Sequence, residues 1–243
     1  MLNQNSIKEL SIKIQTTEEN IAREYIQYLF LSSFYQQEEA GAILFKGGTA
    51  LRIIYESPRF SEDLDFTITK KYSQKNLDSL FINSLAKINE EGIKTEIEEA
   101  KITTGGYLGI FSYSLYGFYG EIALEISFRK GNNIKKEVKT IISPYVPPFL
   151  ILFLLPQELV KEKLLALQKR HKPRDYYDLY FILRHPELNK FIDFKKIKKV
   201  KEILLKEKIN FKKELEVLLP ISHHPLLKNF KESLLREIEQ YNV

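Results

Sequence analysis

The sequence predicts an α+β fold, a mixed sheet with helices followed by a C-terminal helical domain. Up to about residue 150, short apolar or alternating segments of strand type are interleaved with amphipathic helical ones. From Pro156 onward only helical periodicity remains. Between the two parts lies Ser143-Pro144-Tyr145-Val146-Pro147-Pro148, whose prolines suit neither element. The expected division is therefore an α/β domain over 1–148 and a helical domain over 149–243.

Thr16-Thr17-Glu18-Glu19 has the form of a capping box, with Thr16 as cap and Glu19 three residues on, and predicts a helix to about Gln36. Ala42-Ile43-Leu44-Phe45 is a short apolar run ending at Gly47-Gly48, which predicts a buried strand and then a turn. A helix over 49–55 is halted near Ser57-Pro58. Alternation over 63–68 predicts a strand, and 77–89 a helix stopped at Gly92. Extended segments follow at about 93–103, 107–116 and 121–129. Helices are expected at 157–170, 174–184, 194–208, 211–219 and 225–240.

The bulk composition narrows the function classes. With 243 residues, 44% hydrophobic and 28% charged, the chain suits a globular core rather than disorder. The longest apolar run, 149–155, falls far short of the roughly 20 residues a membrane-spanning helix needs. No signal-peptide pattern opens the sequence. The absence of cysteine excludes disulfides, thiol catalysis and zinc–thiolate sites, and fits a cytoplasmic protein. The net charge of +5 is uneven: residues 157–215 hold 17 basic and 9 acidic side chains. Such an excess attracts polyanions, although a solvated lysine surface reads the same way.

The chemistry concentrates in Phe45-Lys46-Gly47-Gly48-Thr49-Ala50-Leu51-Arg52 and Arg59-Phe60-Ser61-Glu62-Asp63-Leu64-Asp65-Phe66. A strand running into Gly47-Gly48 and then a helix brings backbone N–H groups and the positive helix end to an anion, as a triphosphate site requires. Thr49 can cap that helix or touch an oxygen. The alternative is an ordinary tight turn. On a strand, Asp63 and Asp65 share a face. With no strand cation nearby in sequence, two such carboxylates suit a divalent cation; the alternative is a solvent-facing acidic pair. A third carboxylate is expected on the segment at 121–129. There Glu125, mid-strand, is preferred to Glu121, against an exposed acidic face.

These residues, with their order and spacing, resemble the AbiEii/AbiGii toxin family of the polymerase-β-type nucleotidyltransferase superfamily. Later motifs add to the likeness: Leu159-Val160-Lys161-Glu162-Lys163-Leu164-Leu165-Ala166-Leu167, then Arg170 and Arg174-Asp175-Tyr176-Tyr177-Asp178-Leu179. The resemblance spans about residues 43–183. It implies a nucleotidyltransferase-like mixed sheet, with the helical domain completing the active-site cleft. It implies metal binding (Mg²⁺ or Mn²⁺) at Asp63 and Asp65, triphosphate binding at Gly47 and Gly48, a phosphate contact from Lys163, and an organising role for Asp175 or Asp178. Lys46, Thr49, Arg59, Ser61 and Arg170 complete the candidate nucleotide-binding set. Lys163 and Arg170, seven apart, share a helix face and suit phosphate. Asp175, just after Pro173, equally suits a helix N-terminus, and both aspartates can pair with Arg170 or Arg174.

The activity so implied is transfer of a nucleotidyl group from an NTP to an acceptor by the toxin of a two-component system, with a cognate antitoxin as partner. The basic half fits tRNA as acceptor; a protein is the alternative. Lys195, Lys196, Lys198, Lys199, Lys201, Lys206 and Lys208 ring one helix there, as a polynucleotide surface or a solvated face. Two rival readings remain. One is a phosphotransferase using the same nucleotide site, the other a non-catalytic nucleic-acid or partner-binding module.

Overall fold

The computed structural model describes residues 2–128 and 135–241. Its elements are α1 (Gln4–Ile14), α2 (Glu18–Gln36), β1 (Ile43–Lys46), α3 (Gly47–Tyr55), β2 (Leu64–Ile68), α4 (Gln74–Glu90), β3 (Lys94–Thr103), β4 (Gly106–Leu115), β5 (Phe118–Ser127), β6 (Lys136–Ile141) and β7 (Phe149–Leu154). Six helices follow: α5 (Pro156–Arg170), α6 (Pro173–Arg184), α7 (Phe194–Lys206), α8 (Phe211–Leu218), α9 (His224–Leu227) and α10 (Phe230–Glu239). The fold is the predicted mixed sheet with helices, followed by helices alone. None of the described helices is long and apolar enough to cross a membrane.

Two compact units result. The first holds Met1–Glu56 and Phe60–Leu154; the second holds Ser57–Arg59 and Leu155–Val243. The segment 149–154, placed by sequence in the helical part, is strand β7 of the sheet. Its alternation of buried Phe149, Ile151 and Phe153 with outward residues is a strand's pattern.

In the first unit the strand order is β3-β4-β5-β2-β1-β7-β6. β1 runs antiparallel to β2, while β2–β5 and β1–β7 are parallel. One face is apolar: Phe45 and Phe66 meet each other, and Phe66 meets Phe34 of α2. Phe30, Phe81 and Phe111 extend this aromatic core towards α4. In the second unit Tyr177, Phe211 and Phe230 form the aromatic centre, with Leu164, Ile182, Val200, Leu215 and Leu234 buried around them.

Several local expectations shift. The cap of α2 is Thr17, whose side chain accepts from the Asn20 N–H, and Thr16 instead accepts from the Asn20 amide. The two glycines do not form a separate turn: α3 begins at Gly47 itself. β2 begins at Leu64, so Asp63 precedes it. The helix expected over 225–240 is broken at Lys228 and Asn229 into α9 and α10. The third extended segment ends as a strand at Ser127, and Arg129 lies outside the described residues.

Candidate active site

Strand pairing places Lys46, Asp65 and Glu125 side by side. Lys46 stands opposite Asp65 across β1–β2, and Asp65 opposite Glu125 across β2–β5. Residues so opposed share a face of the sheet. Their neighbours Phe45, Leu64, Phe66, Leu124 and Ile126 turn to the other face and are buried. The three charged residues therefore line one hollow, together with Thr103, Gly105, Gly106 and Ser127. The premise that no strand cation lies near the aspartates is corrected by the register, which sets Lys46 beside Asp65.

Gly47 is a glycine for two reasons. Its φ is +84°, a left-handed value that side chains strain to adopt. A Cβ on it would also fall on the Asp65 carboxyl group. The strand-to-helix junction is thus built against Asp65. α3 starts there with extended Lys46 as its cap and no side-chain hydrogen bond at the cap, so its positive end begins beside the carboxylate row.

Asp63 is half-buried and closes the loop that leads into β2. The paired strand thus begins one residue after Asp63, and Asp65 is the member of the pair within the sheet register. Among the described residues, no three His, Cys, Asp or Glu side chains form a group able to hold a metal ion. The expected trio of Asp63, Asp65 and Glu125 is not gathered as such; Asp65 and Glu125 are the two that face one hollow. The loop itself is tied down from the helices. Gln27 of α2 donates its amide to the carbonyls of Ser61 and Glu62, each at 3.0 Å. Thr49 is buried, and its hydroxyl donates to the Asp63 carbonyl rather than capping α3 or facing the hollow. Ser61 is held through its backbone carbonyl. Arg52 of α3 is held by Glu24 of α2 at 2.7 Å and lies 4.0 Å over the Phe60 ring.

The helical unit gathers the later motif residues differently. Asp178 receives Arg59 through two hydrogen bonds, of 2.8 and 3.1 Å, and Lys163 at 2.8 Å. Burial alone would push the Asp178 carboxyl up; the Arg59 guanidinium and the Lys163 ammonium outweigh it and hold it below the usual carboxylate range. Arg59 is only 3% exposed. Its guanidinium is held by Asp178. Asp175 accepts from Arg170 at 2.7 Å, and its other oxygen is buried with no hydrogen-bond partner. Arg174 pairs with Glu214 instead. Lys163 and Arg170 do share one face of α5, and that face meets α6.

Sequence reasoning missed Gln27, Glu24 and the register of Lys46. Gln27 and Glu24 left one usable signal, polar side chains one turn apart within a mostly apolar helix.

With this geometry in place, comparison with known proteins is decisive. The family of AbiEii toxins, nucleotidyl transferases of type IV toxin–antitoxin systems, matches residues 29–239. The chain belongs to this family. Solved structures share the fold of this chain. JHP933 from Helicobacter pylori superposes with a TM-score of 0.58 at 20% identity, covering 93% of this chain and 96% of that one. MenT4, a nucleotidyltransferase toxin from Mycobacterium tuberculosis, does so with a TM-score of 0.61 at 17% identity, covering 97% and 90%. At these identities the likeness bears on the fold alone. The search among curated proteins found no match to this chain.

Proposed function

We propose that this AbiEii-family protein moves a nucleotidyl group from an NTP to an acceptor hydroxyl, releasing pyrophosphate, at the row formed by Lys46, Asp65 and Glu125. The row carries the reading. It sets two carboxylates and one ammonium on a single open face, beside the start of α3. Mg²⁺ is typically held by one or two carboxylates plus phosphate oxygens, so Asp65 and Glu125 fit it or Mn²⁺, with Asp63 close in sequence as a further ligand. A divalent cation held there would supply charge neutralisation at the reacting phosphates. Lys46 and the N–H groups at Gly47 and Gly48 orient the triphosphate by charge and by hydrogen bonds. In the helical unit Lys163 is the proposed phosphate contact, with Asp178 setting the direction of its ammonium. Asp175 does the same for Arg170, which is half exposed.

For the acceptor we favour tRNA. The helical unit carries the basic excess, and Lys195, Lys198, Lys199, Lys206 and Lys208 are exposed. Membership in a type IV family supports a cognate antitoxin as partner.

The test is incubation with each α-labelled NTP, Mg²⁺ and total tRNA. We expect label in tRNA and stoichiometric pyrophosphate. Asp65→Asn should lower turnover by about 10³-fold, from the loss of several kcal/mol of charge stabilisation, while melting as wild type. Release of nucleoside diphosphate would replace the reading with phosphotransfer. Binding without any transfer, to tRNA or to protein, would replace it with the non-catalytic module.

A further inference from the structure

Four successive residues, Phe60 to Asp63, are held by side chains from two helices. The Phe60 ring lies under Arg52. The carbonyls of Ser61 and Glu62 accept from Gln27, and that of Asp63 accepts from Thr49. Three consecutive carbonyls satisfied by side-chain donors is not the pattern of a strand or a helix, where backbone amides do this work. The donors are deeply buried, Gln27 at 2% and Thr49 at 1% exposure. One turn before Gln27, Glu24 holds Arg52 and also accepts from the Tyr145 hydroxyl at 2.6 Å. α2 therefore reaches this stretch of loop directly through Gln27 and, by way of Arg52, through Glu24, although it lies outside every motif.

We infer that Gln27 and Thr49 are positioning residues for the transfer reaction, setting where Asp63 stands relative to the row. Asp65 and Glu125 have their places fixed by strand register. Asp63 lies outside that pairing, and its backbone is located by the clamp on the three carbonyls. The inference rests on the carboxylate reading proposed above. Displacement of a reacting group by about 1 Å costs on the order of 10²-fold in rate, so loss of a donor from the clamp should appear in turnover before it appears in substrate binding.

The experiment compares wild type with Gln27→Met, Thr49→Val, Thr49→Ser and Asp65→Asn. Three quantities are read on each: kcat and KM for the NTP with total tRNA, the melting temperature, and Mn²⁺ half-saturation. The last is followed by electron paramagnetic resonance with the α,β-methylene analogue of ATP and needs no acceptor. Gln27→Met and Thr49→Val should lower kcat by roughly 10- to 100-fold, raise the Mn²⁺ half-saturation, and leave KM for the NTP nearly unchanged. Thr49→Ser keeps the hydroxyl and should restore kcat and Mn²⁺ binding. If Gln27→Met fails to fold, the Thr49 pair decides alone. A lower melting temperature with wild-type kcat and Mn²⁺ binding per folded molecule would reduce the clamp to scaffolding and overturn the inference. So would a Thr49→Ser no better than Thr49→Val. Asp65→Asn separates the layers. If it is inactive while the clamp variants behave as wild type, the inference falls alone. If it binds Mn²⁺ and turns over normally, the carboxylate reading falls and takes the inference with it.

Discussion

The row Lys46, Asp65 and Glu125 in the sheet unit and the cluster Arg59, Asp178 and Lys163 in the helical unit use the same groups, cations beside carboxylates. They are assembled in opposite ways. The row owes its arrangement to backbone pairing across three strands, and its side chains face a hollow. The cluster owes its arrangement to the ion pairs themselves, around a carboxylate only 1% exposed. Taking a charge out of water costs several kcal/mol, and only close partners with good geometry offset it. The contrast separates charge placed by strand register from charge placed by its own ion pairs, although the two look alike in a sequence motif.

The sharpest break of this contrast is Asp178→Asn. It should cost about 3–5 kcal/mol at neutral pH, because Arg59 and Lys163 lose their buried counter-charge; urea denaturation measures it. Since the folded carboxyl titrates below its usual range, its contribution is complete above that range and is lost as pH falls through the depressed value. The gap between wild type and variant should therefore close in acid. A gap independent of pH would show that the charge is not what stabilises the hairpin of α5 and α6.

Gly47→Ala probes the other side. It forces a side chain into a positive φ and against Asp65, a strain of about 1–3 kcal/mol. Transfer activity should fall further than stability, as read by turnover per folded molecule. A variant with wild-type turnover would show that the junction does not set the row. The smallest effect is expected from reversing Lys195, Lys196, Lys198 and Lys199 to Glu. tRNA binding should weaken broadly, and its salt dependence should flatten by about one unit of slope per lost phosphate contact. A wild-type titration curve would remove tRNA as the acceptor and favour a protein.

Much of the fold was legible because local pattern sufficed. The apolar run before Gly47 is β1, the alternation after Asp63 is β2, and the texture change at Pro156 opens the helices. β6 was hidden by its charge: Lys136, Glu137 and Lys139 stand exposed on an edge strand, leaving no alternation to read. Glu125 was picked out from its place in a strand, but its partnership with Asp65 depends on a parallel pairing that no local window contains. The partner of Arg59 was not legible for a chemical reason. A guanidinium fork suits phosphate and carboxylate equally, and Asp178, far along the chain, offers the carboxylate.

The parallel pairing of β2 with β5 joins positions about 60 residues apart, with three further elements between them. Contacts of such long range form late, after the intervening chain has been ordered. During synthesis the ribosome releases Asp63 and Asp65 well before Glu125, whose strand ends just past the midpoint of the chain. A growing fragment thus carries the motif without the row. For a chain of the AbiEii toxin family, the order of synthesis itself keeps a half-made copy incomplete.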